Sequence, residues 1–235
     1  MKKIPVSCLS LILFFLFTCS CNKSKTRIKE GKIEYEISYP CLEKNHKSLM
    51  FLLPKKMVMT FNGNVYKNEF IFPTKGSELG LINDCNTKNL KLIFGLGNNN
   101  KFTSLDSSSI YYLLDDLPTY EIIDLDGRPF EYLGTSCKEI KVKSLENDSI
   151  YNIITANEID IKDVNWCTPF NEIPNVLLDY NIKQYGMEMH LKAIKINKEY
   201  VEKDFNELEE TFNYLKIKNY LSEIKTMLSI FKCND

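Results

Sequence analysis

Polar and apolar side chains alternate in Lys32-Ile33-Glu34-Tyr35-Glu36-Ile37-Ser38-Tyr39. Period two places Ile33, Tyr35, Ile37 and Tyr39 on one face of a half-buried strand. Strand signals dominate from Gly31 to Ile196. Lys56–Phe61 and Val65–Phe70 flank Asn62-Gly63, a dipeptide that tolerates the positive φ of a tight hairpin. A turn centred there would set Met59 opposite Tyr66 and Lys56 opposite Glu69. A second hairpin joins Leu79–Asn83 to Leu90–Phe94 through Asp84–Lys88, and Gly95–Asn100 reads as a mobile loop. Asp106 or Ser107 is placed to cap a short helix through Ile110, Tyr111 and Leu114, ending before Pro118 and covering an open part of the sheet.

Further strands are expected at Tyr120–Asp124, Lys138–Leu145 and Ile150–Ala156, with Asn147-Asp148 as a turn. Val176, Leu178, Tyr180 and Ile182 share one face, as do Met187, Met189 and Leu191 beyond a turn at Gly186. Ile194 and Ile196 fall on the opposite parity from Leu191, which predicts a bulge near Ala193 or a swap of buried faces. The C-terminal stretch changes period. Phe205, Leu208, Phe212 and Leu215 recur at helical spacing, and so do Leu221, Ile224, Leu228 and Phe231, with a break of register near Asn219. The fold class expected is α+β, mostly β: a curled antiparallel sheet, an incomplete barrel, with a short covering helix and a C-terminal helical region.

The N-terminus has a different character. Lys2 and Lys3 precede an apolar stretch from Ile4 to Thr18, which is 15 residues and shorter than the about 20 a membrane-spanning helix needs. A cleaved export signal fits better than a transmembrane anchor. The segment Leu16-Phe17-Thr18-Cys19-Ser20-Cys21 resembles a bacterial lipobox. That resemblance implies cleavage before a cysteine that is then acylated: Cys21, preceded by the small Ser20, or alternatively Cys19. The domain organisation expected is a signal peptide over 1–20, a lipidated, extended and mobile tether over 21–30, and a single domain over 31–235. Several lipid chains at about 0.8 kcal/mol per buried methylene would make the attachment permanent. Asn22-Lys23-Ser24-Lys25 lacks the acidic tract that resembles a surface-export signal, so an outer-membrane lipoprotein facing the periplasm is expected.

The net charge is −1, and loss of Lys2 and Lys3 with the signal makes it about −3. Without a basic run there is no electrostatic footprint for nucleic acid. Cys41, Cys85, Cys137, Cys167 and Cys233 follow the anchor, and an oxidising compartment makes disulfides reasonable; two bridges and a leftover thiol can be arranged in 15 ways, and at least one cysteine is expected to be unpaired. No pair is spaced as C-x-x-C, which disfavours a thioredoxin-like or zinc-ribbon role.

Gly31-x-Ile33-x-Tyr35-x-Ile37, Gly134-x-x-Cys137-Lys138, Thr155-x-Asn157-Glu158-Ile159, Leu178-x-Tyr180 and Gly186-Met187-x-Met189 occur in that order across the chain. In order and spacing they resemble lipid-anchored envelope proteins related to the LolA/LolB lipoprotein-carrier fold. The resemblance implies an incomplete barrel with helices plugging its concave side, and an apolar concave face that shelters acyl chains. A tethered chain is more similar to an acceptor or resident binder than to a shuttle. Trp166-Cys167-Thr168-Pro169 and the Lys/Glu-rich C-terminal region match no part of that pattern.

The ligand-binding residues expected are Tyr35, Met57, Met59, Tyr66, Tyr180, Met187 and Met189, because flexible thioethers beside amphipathic rings suit a cavity for variable apolar molecules. The competing reading is that they fill a closed core. Catalytic signatures are missing: there is no G-x-S-x-G, no H-E-x-x-H and no G-x-x-x-x-G-K-[ST]. With His46 and His190 alone, and Asp124–Gly127 and Asp115-Asp116 reading as turn and helix-end residues, no metal site, cofactor or catalytic residue is expected. A non-enzymatic protein binding a lipid, acyl chain or other apolar ligand in a half-barrel groove leads. The alternative is a protein–protein interaction module for an envelope complex.

Overall fold

The computed structural model describes residues 27–45, 47–125, 127–199 and 212–232. The signal segment and Cys21 therefore lie outside the described residues, as do His46, Phe205, Leu208 and Cys233. In chain order the elements are β1 (Glu30–Ser38), α1 (Pro40–Asn45), β2 (Lys56–Asn62), β3 (Val65–Ile71), β4 (Ser77–Asp84), β5 (Asn89–Leu96), β6 (Asn99–Leu105), α2 (Tyr111–Leu114), β7 (Tyr120–Asp124), β8 (Phe130–Tyr132), β9 (Thr135–Ser144), β10 (Ile150–Ala156), β11 (Val176–Gln184), β12 (Met187–Asn197), β13 (Asn213–Tyr214) and α3 (Ile217–Leu228). The strands form one open sheet in the order β13-β6-β5-β4-β3-β2-β1-β12-β11-β10-β9-β7, with β8 paired to β9. Every pairing of strands is antiparallel except β13 with β6. The fold is thus α+β and mostly β, a single sheet that does not close into a barrel.

Alternation decides which face is covered. Ile33, Tyr35 and Ile37 of β1, Met57, Met59 and Phe61 of β2, and Met187, Met189 and Leu191 of β12 are all buried, whereas the intervening residues are more exposed except for Thr60, which is buried. Near Ala193 the bulge expected from the parity change is present: Tyr35 pairs with Ala193 and Glu34 with Lys195, so Ile194 is extruded and Ile196 regains a partner in Ile33. The connection at Tyr185-Gly186 takes positive φ at both residues, +53° and +82°, as a twisted hairpin turn demands.

Several expectations are corrected. The β2–β3 turn is centred on Gly63-Asn64, with Gly63 at φ +59°, so Met59 faces Asn68 and Lys56 faces Ile71 rather than Tyr66 and Glu69. Glycine at the first central position suits a turn with positive φ there, which shifts the register by one residue on each side. Gly95–Asn100 is no loop. β5 runs to Leu96, Gly97-Asn98 make a tight turn with Gly97 at φ +63°, and β6 returns along β5. Cys41 is disulfide-bonded, while Cys85, Cys137 and Cys167 are free and buried, so unpaired cysteines are present as expected and are more than the one that two bridges would leave. The docked part of the chain also starts earlier than the tether reading placed it. The Ile28 N–H donates to Glu158 O at 2.7 Å, Asp160 N–H donates to Ile28 O at 2.9 Å, and Arg27 pairs with Asp160 at 3.1 Å.

Asp106 caps the turn into α2 by accepting from the Ser108 and Ser109 N–H groups at 3.0 and 2.9 Å. Phe212–Leu215, expected as helix, is extended, and the Leu215 N–H donates to Phe102 O at 2.8 Å. The spacing matched a helix by coincidence there, because β6 offered an unpaired edge. Beyond it, α3 buries Tyr220, Leu221, Ile224 and Leu228 on one stripe, as its periodicity predicts.

Gly31 sits where β1 passes Asn197, and a methyl group added at its Cα would lie 2.4 Å from the Asn197 carbonyl oxygen. Gly31→Ala is expected to lower stability by about 1–3 kcal/mol, as overpacking against backbone does, and urea denaturation checks this.

Candidate functional site

The covers over the concave face do not fill it. A cavity of about 470 Å³ remains between the sheet, the segment from Val164 to Phe170, and a roof made by Leu113, Leu117 and α3. Its volume falls in the ~300–1,000 Å³ range of small-molecule sites. Leu96 and Ile230, 61% and 57% exposed, belong to its lining, so the cavity reaches solvent beside the end of β5. Tyr35, Met57, Met59, Tyr66, Tyr180, Met187 and Met189 all line this one space. They come from five strands, β1, β2, β3, β11 and β12, and the curl of the sheet brings them together.

The hydroxyls of Tyr35 and Tyr66 are engaged within the protein. Tyr35 O–H donates to Leu177 O at 2.8 Å, tying β1 to β11. Tyr66 O–H donates to Val164 O at 3.1 Å and accepts from Asn83 Nδ2 at 2.9 Å. Asn83, fully buried on β4, also accepts from Trp166 Nε1 at 2.9 Å, and its Nδ2 lies 3.2 Å from Cys167 Sγ. This network ties the Trp166-Cys167 segment, whose role had no signal in the sequence, to the sheet. Burial raises the pKa of Tyr35, Tyr66 and Tyr180 well above the ordinary phenol value, so each remains neutral.

The other contributors were half legible. Leu79, Leu81, Leu92 and Phe94 on β4 and β5 line the cavity. Their hairpin follows from the sequence pattern, and the curl of the sheet joins its inward face to that of β1–β3. The roof is held at its rim by Lys101–Glu223 at 2.5 Å and by Lys225–Asp116, both partly exposed. Such pairs orient more than they stabilise.

Cys167 is the one thiol among the described residues that line the cavity, and the groups hydrogen-bonded near it are Tyr66 and Asn83. Burial pushes the thiols of Cys85 and Cys167 up to about 12 and that of Cys137 up to about 11, which keeps them protonated and weakly reactive. His190 pairs with Asp179 at 2.6 Å on the outward parity of β12, away from the cavity. Among the described residues no group of three or more His, Cys, Asp or Glu side chains is placed to hold a metal ion.

No family model matches the chain, and no curated protein matches it. A solved structure described as "Structure of PNGF-II in P21 space group" is similar over 83% of this chain and 33% of that one, at 11% identity and a TM-score of 0.52. This chain thus spans about a third of that protein's length, and a likeness at this identity concerns the fold alone.

The raised thiol pKa values have a consequence with a definite sign. The unfolded chain releases these protons near the ordinary value of 9, whereas the folded state holds them to about 11–12. Stability is full below pH 9 and falls as pH rises through that window. Urea midpoints at pH 8, 9, 10 and 11 are expected to decline. At pH 8 a thiol reagent is expected to label Cys85, Cys137 and Cys167 only after denaturant is added.

Proposed function

We propose that this protein binds a lipid, an acyl chain or another apolar molecule in the cavity beneath α3, without catalysing its conversion. The observation that carries the reading is a space of about 470 Å³, walled mainly by aliphatic, thioether and aromatic side chains and reaching solvent at Leu96 and Ile230. A closed core would place such residues in mutual contact and leave no room of this size. Methionines at Met57, Met59, Met187 and Met189 adapt to occupants of different shape by rotating about three unbranched bonds. The resemblance to the LolA/LolB fold supports the same occupant class. On this reading Cys21 carries the lipid anchor, and the domain works at the periplasmic face of an outer membrane, close to a supply of hydrophobic ligand.

Native mass spectrometry of protein purified without residues 1–20 is expected to show a co-purifying apolar molecule. An apo species that captures an envelope protein on crosslinking would instead indicate an interaction module. Met59→Lys combined with Met189→Lys puts two ammonium groups into the cavity and is expected to abolish ligand retention, with circular dichroism confirming the sheet. Retention at the wild-type level would overturn the cavity assignment. Metabolic labelling with a fatty-acid probe is expected to mark the full-length protein and to be lost in Cys21→Ala; label that persists would shift the anchor to Cys19.

A further inference from the structure

The cavity opens at one end of the sheet, and four segments surround the opening: 51–56 leading into β2, 71–78 between β3 and β4, 96–97 at the end of β5, and 229–232 after α3. Each contributes to the lining, through Leu52 and Pro54, Phe72 and Thr74, Leu96, and Ile230. Register holds the first three side by side. Lys56 faces Ile71 across β2 and β3, Leu96 faces Ser77 across β5 and β4, and the Gly97 N–H donates to Gly76 O at 2.6 Å.

This rim shows water what a protein surface usually hides. Phe51 and Ile71 are 61% and 49% exposed, and with Leu96 and Ile230 they put four large apolar side chains around the opening. Scattered singly, such residues would need no explanation; gathered at the mouth of an apolar cavity they mark a contact surface. The same four segments carry Lys55, Lys56, Lys75 and Lys232, all exposed, and Glu78 is their one carboxylate. Apolar tips set among cations match the boundary of an anionic bilayer, where hydrocarbon lies just beneath negative head groups. Lysine stems are long enough to keep their ammonium groups at head-group level while apolar neighbours go deeper.

Resting on the reading that the cavity takes an apolar occupant, we infer that this rim is a membrane-docking surface. Phe51, Ile71, Leu96 and Ile230 enter the outer part of a bilayer that contains anionic lipid, and the four lysines meet its head groups. Docking sets the cavity mouth against hydrocarbon, so a ligand passes between bilayer and cavity without exposing its chain to water. The contact is separate from the proposed anchor, because the chain enters β1 at the far end of the sheet, where Lys29 O accepts from the Gly63 N–H at 2.7 Å. The six residues from Asn22 to Arg27 reach at most about 20 Å, close to the length of the seven-residue β2, so the anchored protein can still present its rim to the same bilayer.

The test is co-sedimentation of the protein made without residues 1–20 and carrying Cys21→Ala with vesicles of phosphatidylcholine alone or with about one third phosphatidylglycerol. Binding is expected to be about tenfold tighter to the anionic vesicles and to weaken at high salt. Lys55→Glu with Lys75→Glu is expected to remove that preference, and Phe51→Ser with Ile71→Ser to weaken binding to both vesicles about tenfold. None of these four side chains lines the cavity, so uptake of the apolar reporter N-phenylnaphthylamine, measured without vesicles, is expected to stay at the wild-type level in both variants. Ile194→Ser, at the exposed bulge of β12, is expected to leave vesicle binding unchanged. Reporter uptake without vesicle binding would overturn the docking surface and leave the cavity reading standing, and so would vesicle binding that ignores both rim variants. Vesicle binding without reporter uptake would overturn the cavity reading alone, and failure of both would overturn both.

Discussion

A sheet with one apolar face must shield that face from water, and here the shield is assembled from parts distant in the chain. The segment between β10 and β11 covers one side and α3 with α2 the other. Each cover is fastened by polar contacts at its margin: Asn83 with Tyr66 and Trp166 on one side, Lys101–Glu223 and Lys225–Asp116 on the other. Between fastenings the curled sheet recedes faster than the covers follow. The cavity lies where the sheet and its two covers do not meet.

Most of the strands and the shared face of the seven cavity residues were legible because period two is a local signal and burial follows from it. The same signal located the bulge at Ile194, where parity changes while both ladders persist. Turn chemistry was harder. Asn62-Gly63 resembles the preferred centre of one turn, yet Gly63-Asn64 serves another, and the two differ by a full step of register on each strand. Gly95–Asn100 is rich in turn residues, so β6 disappears from a reading that weighs composition above pairing; only the waiting edge of β5 makes it a strand.

What was not legible was long-range. No pattern in Trp166-Cys167-Thr168-Pro169 tells that its indole will reach a buried asparagine on β4, because one hydrogen bond leaves no period behind it. Asn68, which lines the cavity, is silent for a similar reason: a single amide among alternating residues looks like an ordinary outward polar position until the register places it inward. The C-terminal segment shows the opposite failure, in which spacing compatible with a helix gave way at Asn213-Tyr214 to two strand residues beside β6.

An open sheet carries a hazard that barrels avoid, since each rim exposes backbone groups on which another copy could build. Here neither rim is a long flat template. On one side β13 contributes only Asn213 and Tyr214, in parallel, before the chain turns into α3. On the other, β7 and β8 share the outer side of β9 as two short pieces, and β7 is kinked between Ile122 and Asp124. Among the described residues, strand addition by another copy would meet an interrupted ladder at either end of the sheet.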